Sequence, residues 1–280
     1  MRNEEDKAYL ANKHKGGEAN AKGGLYEDFY AVFQIVSCIA HYKAILDGVV
    51  LQTQLEDTFV DDLLIAKPDK NVYHQLKNTR KLTWNTKSSD RTITSDFENQ
   101  IKDCNERNEQ FALKLIYSAA SSLVGEKIPD SIKAYTTVEY FPYLEDLNGL
   151  IIVSEAFQDA LRIISVMGNE STVDELVNNA MVFLGVWKAC GSKHRVRLSD
   201  IVSRAEDTKH FNLAIFSDET LSESCREILD GIDGLSYSVI GRMFYWQMGN
   251  FKGSCPWPEG KEQEIINKKP TTRRELVAIL

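Results

Sequence analysis

Two apolar runs joined by a tight turn constrain this chain more than any other feature. The first is Phe59-Val-Asp-Asp-Leu-Leu-Ile-Ala66, and the second is Asn71-Val-Tyr-His-Gln-Leu-Lys77. Between them, Lys67-Pro-Asp-Lys-Asn71 supplies the Pro, Asp and Asn that favour a turn. The spacing predicts a β-hairpin. Side chains alternate along a strand, so Val60, Asp62, Leu64 and Ala66 share one face of the first strand. Tyr73, Gln75 and Lys77 share one face of the second. Where those faces coincide, an acid, an amide and a lysine converge. Buried charge is costly unless it is paired or holds a metal, so a hairpin carrying that trio points to a functional site. A one-residue shift in register would put Asp61 there in place of Asp62.

The residues before the hairpin predict a buried helix from Leu25 to about His41, with Tyr26, Phe29, Tyr30, Phe33, Val36 and Ile39 at helical spacing. Glu27 falls in its first turn, where the helix dipole favours an anion. Val49 to Leu55 alternates as a strand. After the hairpin, 78–93 reads as a polar surface loop. Ser95-Asp-Phe-Glu98 has capping-box spacing for a helix with Phe97, Ile101 and Cys104 on its apolar face. Phe111 to Tyr117 reads as another strand.

Asp62 followed by Gln75-x-Lys77 resembles the D…(D/E/Q)-x-K signature of the PD-(D/E)xK nuclease superfamily, in the Gln variant of Mrr-like restriction endonucleases. Gly23-Gly-Leu-Tyr-Glu-Asp-Phe-Tyr-Ala-Val32 is similar to the glycine-led first helix, with an inward Glu, of antiphage endonuclease domains. The resemblance covers about residues 20 to 120. It implies an α/β fold with a restriction-endonuclease-like αβββαβ core, which the predicted order of helix, three strands, helix and strand fits. It implies catalytic roles for Glu27, Asp62, Gln75 and Lys77, with Glu27, Asp62 and Gln75 holding Mg²⁺ or Mn²⁺. The function implied is a metal-dependent DNA endonuclease, the effector of a prokaryotic defence or restriction system. A non-cleaving subunit of the same fold that binds nucleic acid or serves assembly, and an RNA nuclease, are the alternatives.

The sequence divides into a flexible arm, or a short helix followed by a linker, over 1–22, where Gly16-Gly17 breaks any helix, a nuclease core over 23–125, and a mainly helical C-terminal domain over 126–280 for partner docking or oligomerisation. Helices are expected over 154–166, over 171–189 and from Ser199, and a strand over 211–216. The second half is too short for both a sensor and an ATPase motor, so activation by an ATPase or sensor partner, or by self-association, is expected. The aromatic-rich run 235–258, with Tyr237, Phe244, Tyr245, Trp246, Phe251 and Trp257, reads as core or interface.

Composition narrows the remaining classes. Five cysteines, widely spaced and without a C-x-x-C pair, indicate free thiols in place of a disulfide framework or a zinc ribbon. Cys190-x-x-x-His194 is half a zinc site without a second half. No P-loop and no G-x-S-x-G occurs. The absence of an apolar signal region or of about 18 consecutive apolar residues predicts a cytoplasmic chain off the membrane. The net charge of −8 argues against a general coat of DNA contacts. Between Lys67 and Arg91, however, seven basic residues face two acidic ones, which predicts a local basic face beside the site.

Overall fold

The computed structural model describes residues 4–42, 45–79, 82–85, 92–119, 127–166, 168–191, 195–208, 221–240, 243–249, 251–258 and 260–280. Within these, residues 4–20, 238, 240 and 243 are described by their backbone alone. The chain is mixed α/β.

Helix α1 runs without a break over Glu4–Tyr42. This corrects the expected break at Gly16-Gly17 and the linker after it. A glycine in a helix is about 1 kcal/mol less favourable than alanine, whereas proline removes a hydrogen bond and clashes. Gly16-Gly17 therefore weakens the helix without ending it. The C-terminal half of α1 is buried on most sides: Tyr26, Phe29, Tyr30, Val32, Ile35, Val36 and Ile39 all lie in the core.

Strands β1 (Val50–Thr53), β2 (Leu63–Ala66) and β3 (Asn71–Lys77) form an antiparallel meander. Helix α2 (Ile93–Glu106) then crosses over so that β4 (Phe111–Tyr117) joins β3 in parallel. A parallel neighbour needs such a crossover, because a tight turn can only reverse the chain. The expected succession of helix, three strands, helix and strand is therefore present. The sheet extends beyond it. Strand β5 (Thr136–Tyr140) adds in parallel beyond β4, and the two-residue β6 (Val196–Arg197) pairs with β1, giving the order β5-β4-β3-β2-β1-β6.

The two faces of this sheet carry separate cores. Leu51, Leu63, Ile65, Leu76 and Ile116 pack against α1 and against α3 (Leu147–Val153), α4 (Glu155–Ile163), α5 (Val173–Ala189) and α6 (Leu198–Asp207). Leu64, Tyr73, Leu113 and Leu115 on the other face pack against Phe97, Ile101 and Cys104 of α2. The first core runs from Tyr26 to Ala205, so packing does not divide the chain at residue 125. The Tyr26 hydroxyl donates to the Phe141 carbonyl across that expected boundary at 3.0 Å. Helices α4, α5 and α6 pack on α1, α3 packs on α4 and α5, and all four belong to the same core.

A third core begins at Leu221 and ends at Ile279. The described residues of the C-terminal half are mainly helical, as expected, but the centre of this core is an antiparallel sheet of β7 (Leu235–Ile240), β8 (Met243–Met248) and β9 (Phe251–Pro256). Helices α7 (Glu223–Asp230), α8 (Lys261–Lys268) and α9 (Arg273–Ile279) complete it. The alternation of Leu235, Tyr237 and Val239 with Phe244, Trp246 and Met248 places those aromatics on one buried or half-buried face. The strand expected over 211–216 and His194 lie outside the described residues.

All five cysteines are free thiols. Among the described residues, no helix is long and apolar enough to cross a membrane.

Candidate active site

The hairpin register sets the site. Leu63 stands opposite His74 and Leu64 opposite Tyr73, so Asp62, one residue before β2, falls opposite Gln75. The ladder stops there, and a side chain takes its place. Asp62 Oδ2 accepts the backbone N–H of Leu76 at 2.6 Å and also accepts a hydrogen bond from the Gln75 amide nitrogen. Asp61 is exposed, while Asp62 is half-buried and holds β3.

Residues 59–62 were expected to extend β2, and they do not. The physical reason is Gln100 of α2, which is fully buried. Its Oε1 accepts the backbone N–H groups of Phe59 at 2.9 Å and Val60 at 3.2 Å, two donors that an extended strand would give to its neighbour. Leu55 N–H donates to the Asp61 carbonyl at 3.1 Å and closes the loop at its base. Gln100 escaped the sequence reading. It lies in the apolar stripe with Phe97, Ile101 and Cys104, and a polar residue at a buried helical position must find a partner.

A cleft of about 790 Å³ opens on the α2 side of the sheet. Asp61, Asp62, Gln75 and Lys77 from the hairpin line it, together with Thr58 and Phe59. Ser95, Asp96 and Asn99 from the first turns of α2 complete the lining. These three were also unforeseen as site residues. The N-cap of α2 is Thr92, paired with Ser95 in a reciprocal capping box, three residues earlier than the sequence spacing indicated.

Glu27 does not line the cleft, because α1 packs on the opposite face of the sheet. It is nevertheless coupled to it by charge. Burial, reinforced by the Asp62 and Asp28 carboxylates, pushes Glu27 up to about 7, against the opposing pull of Lys77. Burial also raises Asp62, while Lys77 and the hydrogen bonds from Leu76 and Gln75 draw it back. Two acids raised chiefly by burial, beside a single ammonium, are an arrangement that an added cation relieves.

Among the described residues, no three His, Cys, Asp or Glu side chains gather as a metal cage. A zinc centre, which takes several His or Cys ligands, does not fit. Mg²⁺ is commonly held by one or two carboxylates and keeps several waters. Asp62 has a second oxygen outside the hydrogen bonds described, and Gln75 directs its nitrogen at Asp62, which leaves its carbonyl oxygen for another partner. Those oxygens fit a hydrated Mg²⁺ or Mn²⁺.

His74 behaves as its strand parity predicts. It points to the α1 side, is 1% exposed, places Nδ1 3.1 Å from the Leu63 carbonyl, and packs 5.7 Å from the Tyr30 ring. Burial holds it down at about 3, so it is a neutral packing residue.

The three described residues of the expected basic face do not form one patch. Lys67 and Lys70 flank the hairpin turn, and Lys67 lies 5.5 Å from the Tyr42 ring centroid. Lys77 ends β3 at the far side of a strand that spans about 20 Å at 3.3 Å per residue. Arg80, Lys81, Lys87 and Arg91 lie outside the described residues.

Compared with family models, with curated proteins and with solved structures, the chain matches none.

Proposed function

We propose that this protein is a metal-dependent phosphodiesterase that cuts DNA, with a restriction-endonuclease-like core. The observation that carries the reading is that Asp62, Gln75 and Lys77, picked out by strand alternation, line one cleft. The order of helix, meander, crossover helix and parallel strand is consistent with the core that the resemblance implies.

In this reading Asp62 and the Gln75 carbonyl oxygen would hold a divalent ion. The ion would supply the positive charge that stabilises negative charge developing at phosphorus. Gln75 fixes the Asp62 carboxylate through its amide hydrogen bond. Lys77 offers its ammonium to a non-bridging phosphate oxygen, where charge grows in the transition state. Glu27 adds negative charge from across the sheet and binds or releases a proton near neutral pH. The role in prokaryotic defence, and activation by an ATPase or sensor partner or by oligomerisation, rest on the resemblance alone.

Supercoiled plasmid incubated with the purified chain and Mg²⁺ or Mn²⁺ tests this reading. Nicking or linearisation should appear, stop with chelator, and disappear in Asp62→Ala and Lys77→Ala. Cleavage that survives both substitutions would remove the cleft from the chemistry. DNA binding without cleavage under either ion would make the chain a non-cleaving assembly subunit.

A further inference from the structure

We infer that Phe59 is a stacking platform for a nucleobase, so that the nucleic acid entering the cleft presents an unpaired base beside the scissile phosphate. The inference rests on the phosphodiesterase reading of the cleft and names the form of its substrate.

Charge comes first. The cleft is lined by three carboxylates, Asp61, Asp62 and Asp96, against one ammonium, Lys77. Nucleic-acid affinity ordinarily comes from basic side chains that neutralise phosphates. Among the described residues these walls supply little of it, and a non-ionic anchor at the same place would add to binding. Phe59 is a large apolar residue, 47% exposed, in the lining of that cleft.

Scattered exposed apolar residues are ordinary on protein surfaces. Phe59 differs in how it is held. Its neighbour Val60 is fully buried in the α2-side core. Both backbone N–H groups are bound to the one buried Gln100 oxygen, at 2.9 and 3.2 Å. Thr58 Oγ1 donates to the Val60 carbonyl at 3.3 Å. With Val60 directed inward and the backbone pinned from α2, the half-exposed Phe59 side chain is carried on a held backbone at the cleft. Three residues on, Asp62 holds β3. Base and phosphate would therefore be gripped by one short rigid segment. Every base has a π-face, so such a platform is tolerant of sequence and requires a base that has left its duplex stack.

Fluorescence anisotropy in chelator, which prevents hydrolysis, tests the idea at matched salt. The probes are a labelled single-stranded DNA oligonucleotide, its duplex, and a series of single strands in which one abasic site is moved along the chain. Wild-type protein should prefer the single strand, and one abasic position should weaken binding about tenfold, the scale of one base–aromatic stack. Phe59→Ala should lose the same factor and become indifferent to that position, and Phe59→Trp should recover it. The ring is exposed, so these variants should keep the wild-type melting temperature, which the same samples report. Equal binding by Phe59→Ala, undiminished sensitivity of that variant to the abasic site, or no measurable binding by the wild type would overturn the inference. The readout separates the two claims. Phe59-dependent binding by a chain that never cleaves would sink the nuclease reading and leave the platform standing. Plasmid cleavage without any Phe59 dependence would do the reverse.

Discussion

His74 and Gln75 are neighbours in β3 and meet opposite fates. His74 faces the α1 core, where burial strips it of charge and it can only pack and bond a backbone carbonyl. Gln75 faces the α2 side, buried but lining a cleft, with its amide committed to Asp62. One face of the sheet closes over its polar group, and the other aims polar groups at open space. Strand geometry alone sorts them, because successive side chains point to opposite faces. A polar residue in this fold is therefore read by the parity of its position, and the chemistry should belong to one parity only.

The strongest way to break that contrast is to change one residue from each face. Asp62→Asn keeps the shape and removes the charge, and should lower single-turnover DNA hydrolysis by about 10³-fold, the scale of losing a charge-stabilising group. His74→Leu should leave turnover within about threefold, well inside what such a group supplies. If a stably folded His74→Leu protein is as inactive as Asp62→Asn, parity does not separate chemistry from packing.

The same pair predicts a pH dependence. The folded protein keeps His74 neutral down to about 3, whereas an unfolded chain takes up a proton near the ordinary 6.5. Below pH 6.5 the unfolded state binds more protons, so stability falls as pH falls. The contribution is fully present above 6.5 and is lost at about 1.4 kcal/mol per pH unit below it, or about 2 kcal/mol by pH 5. Denaturant unfolding at pH 7.5 and pH 5 should show this loss in wild type and a smaller loss in His74→Leu. Equal losses would mean that the ring is already accessible to protons in the folded state.

On the α2 side the smaller test is the clamp. Gln100→Leu leaves the N–H groups of Phe59 and Val60 without their acceptor and should cost about 1–3 kcal/mol. Gln100→Glu retains an acceptor oxygen and should recover part of it. Hydrogen exchange at the amides of Phe59 and Val60 should quicken in Gln100→Leu before global unfolding does. Unchanged exchange would show that the loop is held by other contacts.

What was legible in the sequence follows the range of the interactions. The alternation of β3 needs no distant information, and its bounds, its faces and the placing of Gln75 and Lys77 toward Asp62 agree with the sequence reading. Residues 59–62 have the composition of a strand, but their fate was decided by Gln100 about forty residues later. The helical path through Gly16-Gly17 was missed because propensity was treated as prohibition. The division at residue 125 failed for another reason. Contacts such as Tyr26 with Phe141 join segments 115 residues apart, and no local pattern records them. In the C-terminal sheet the alternation is local, but the aromatics that carry it fit a core or an interface equally well, so composition alone does not mark the strands.

The smallest expected effect concerns Glu27, which belongs to the closed side of the sheet by its helix and to the open side by its charge. Its carboxyl is raised from an ordinary 4.5 to about 7, burial first and Asp62 next. The folded protein therefore binds this proton more tightly than the unfolded chain does. Between about pH 4.5 and 7 folding takes up a proton, and stability declines as pH rises through that window. Above pH 7 the ionised carboxylate is a standing penalty. Glu27→Gln should remove it and raise the melting temperature at pH 8 in chelator, with little change at pH 5. Glu27 is only half-buried, so solvent screening keeps the gain below about 1 kcal/mol. Added Mg²⁺ should narrow the difference at pH 8, since a cation near Asp62 relieves the same repulsion that the substitution removes. If Glu27→Gln is instead less stable than wild type at pH 8, the carboxylate has a favourable partner in the folded protein, and the electrostatic link across the sheet between α1 and the cleft does not exist.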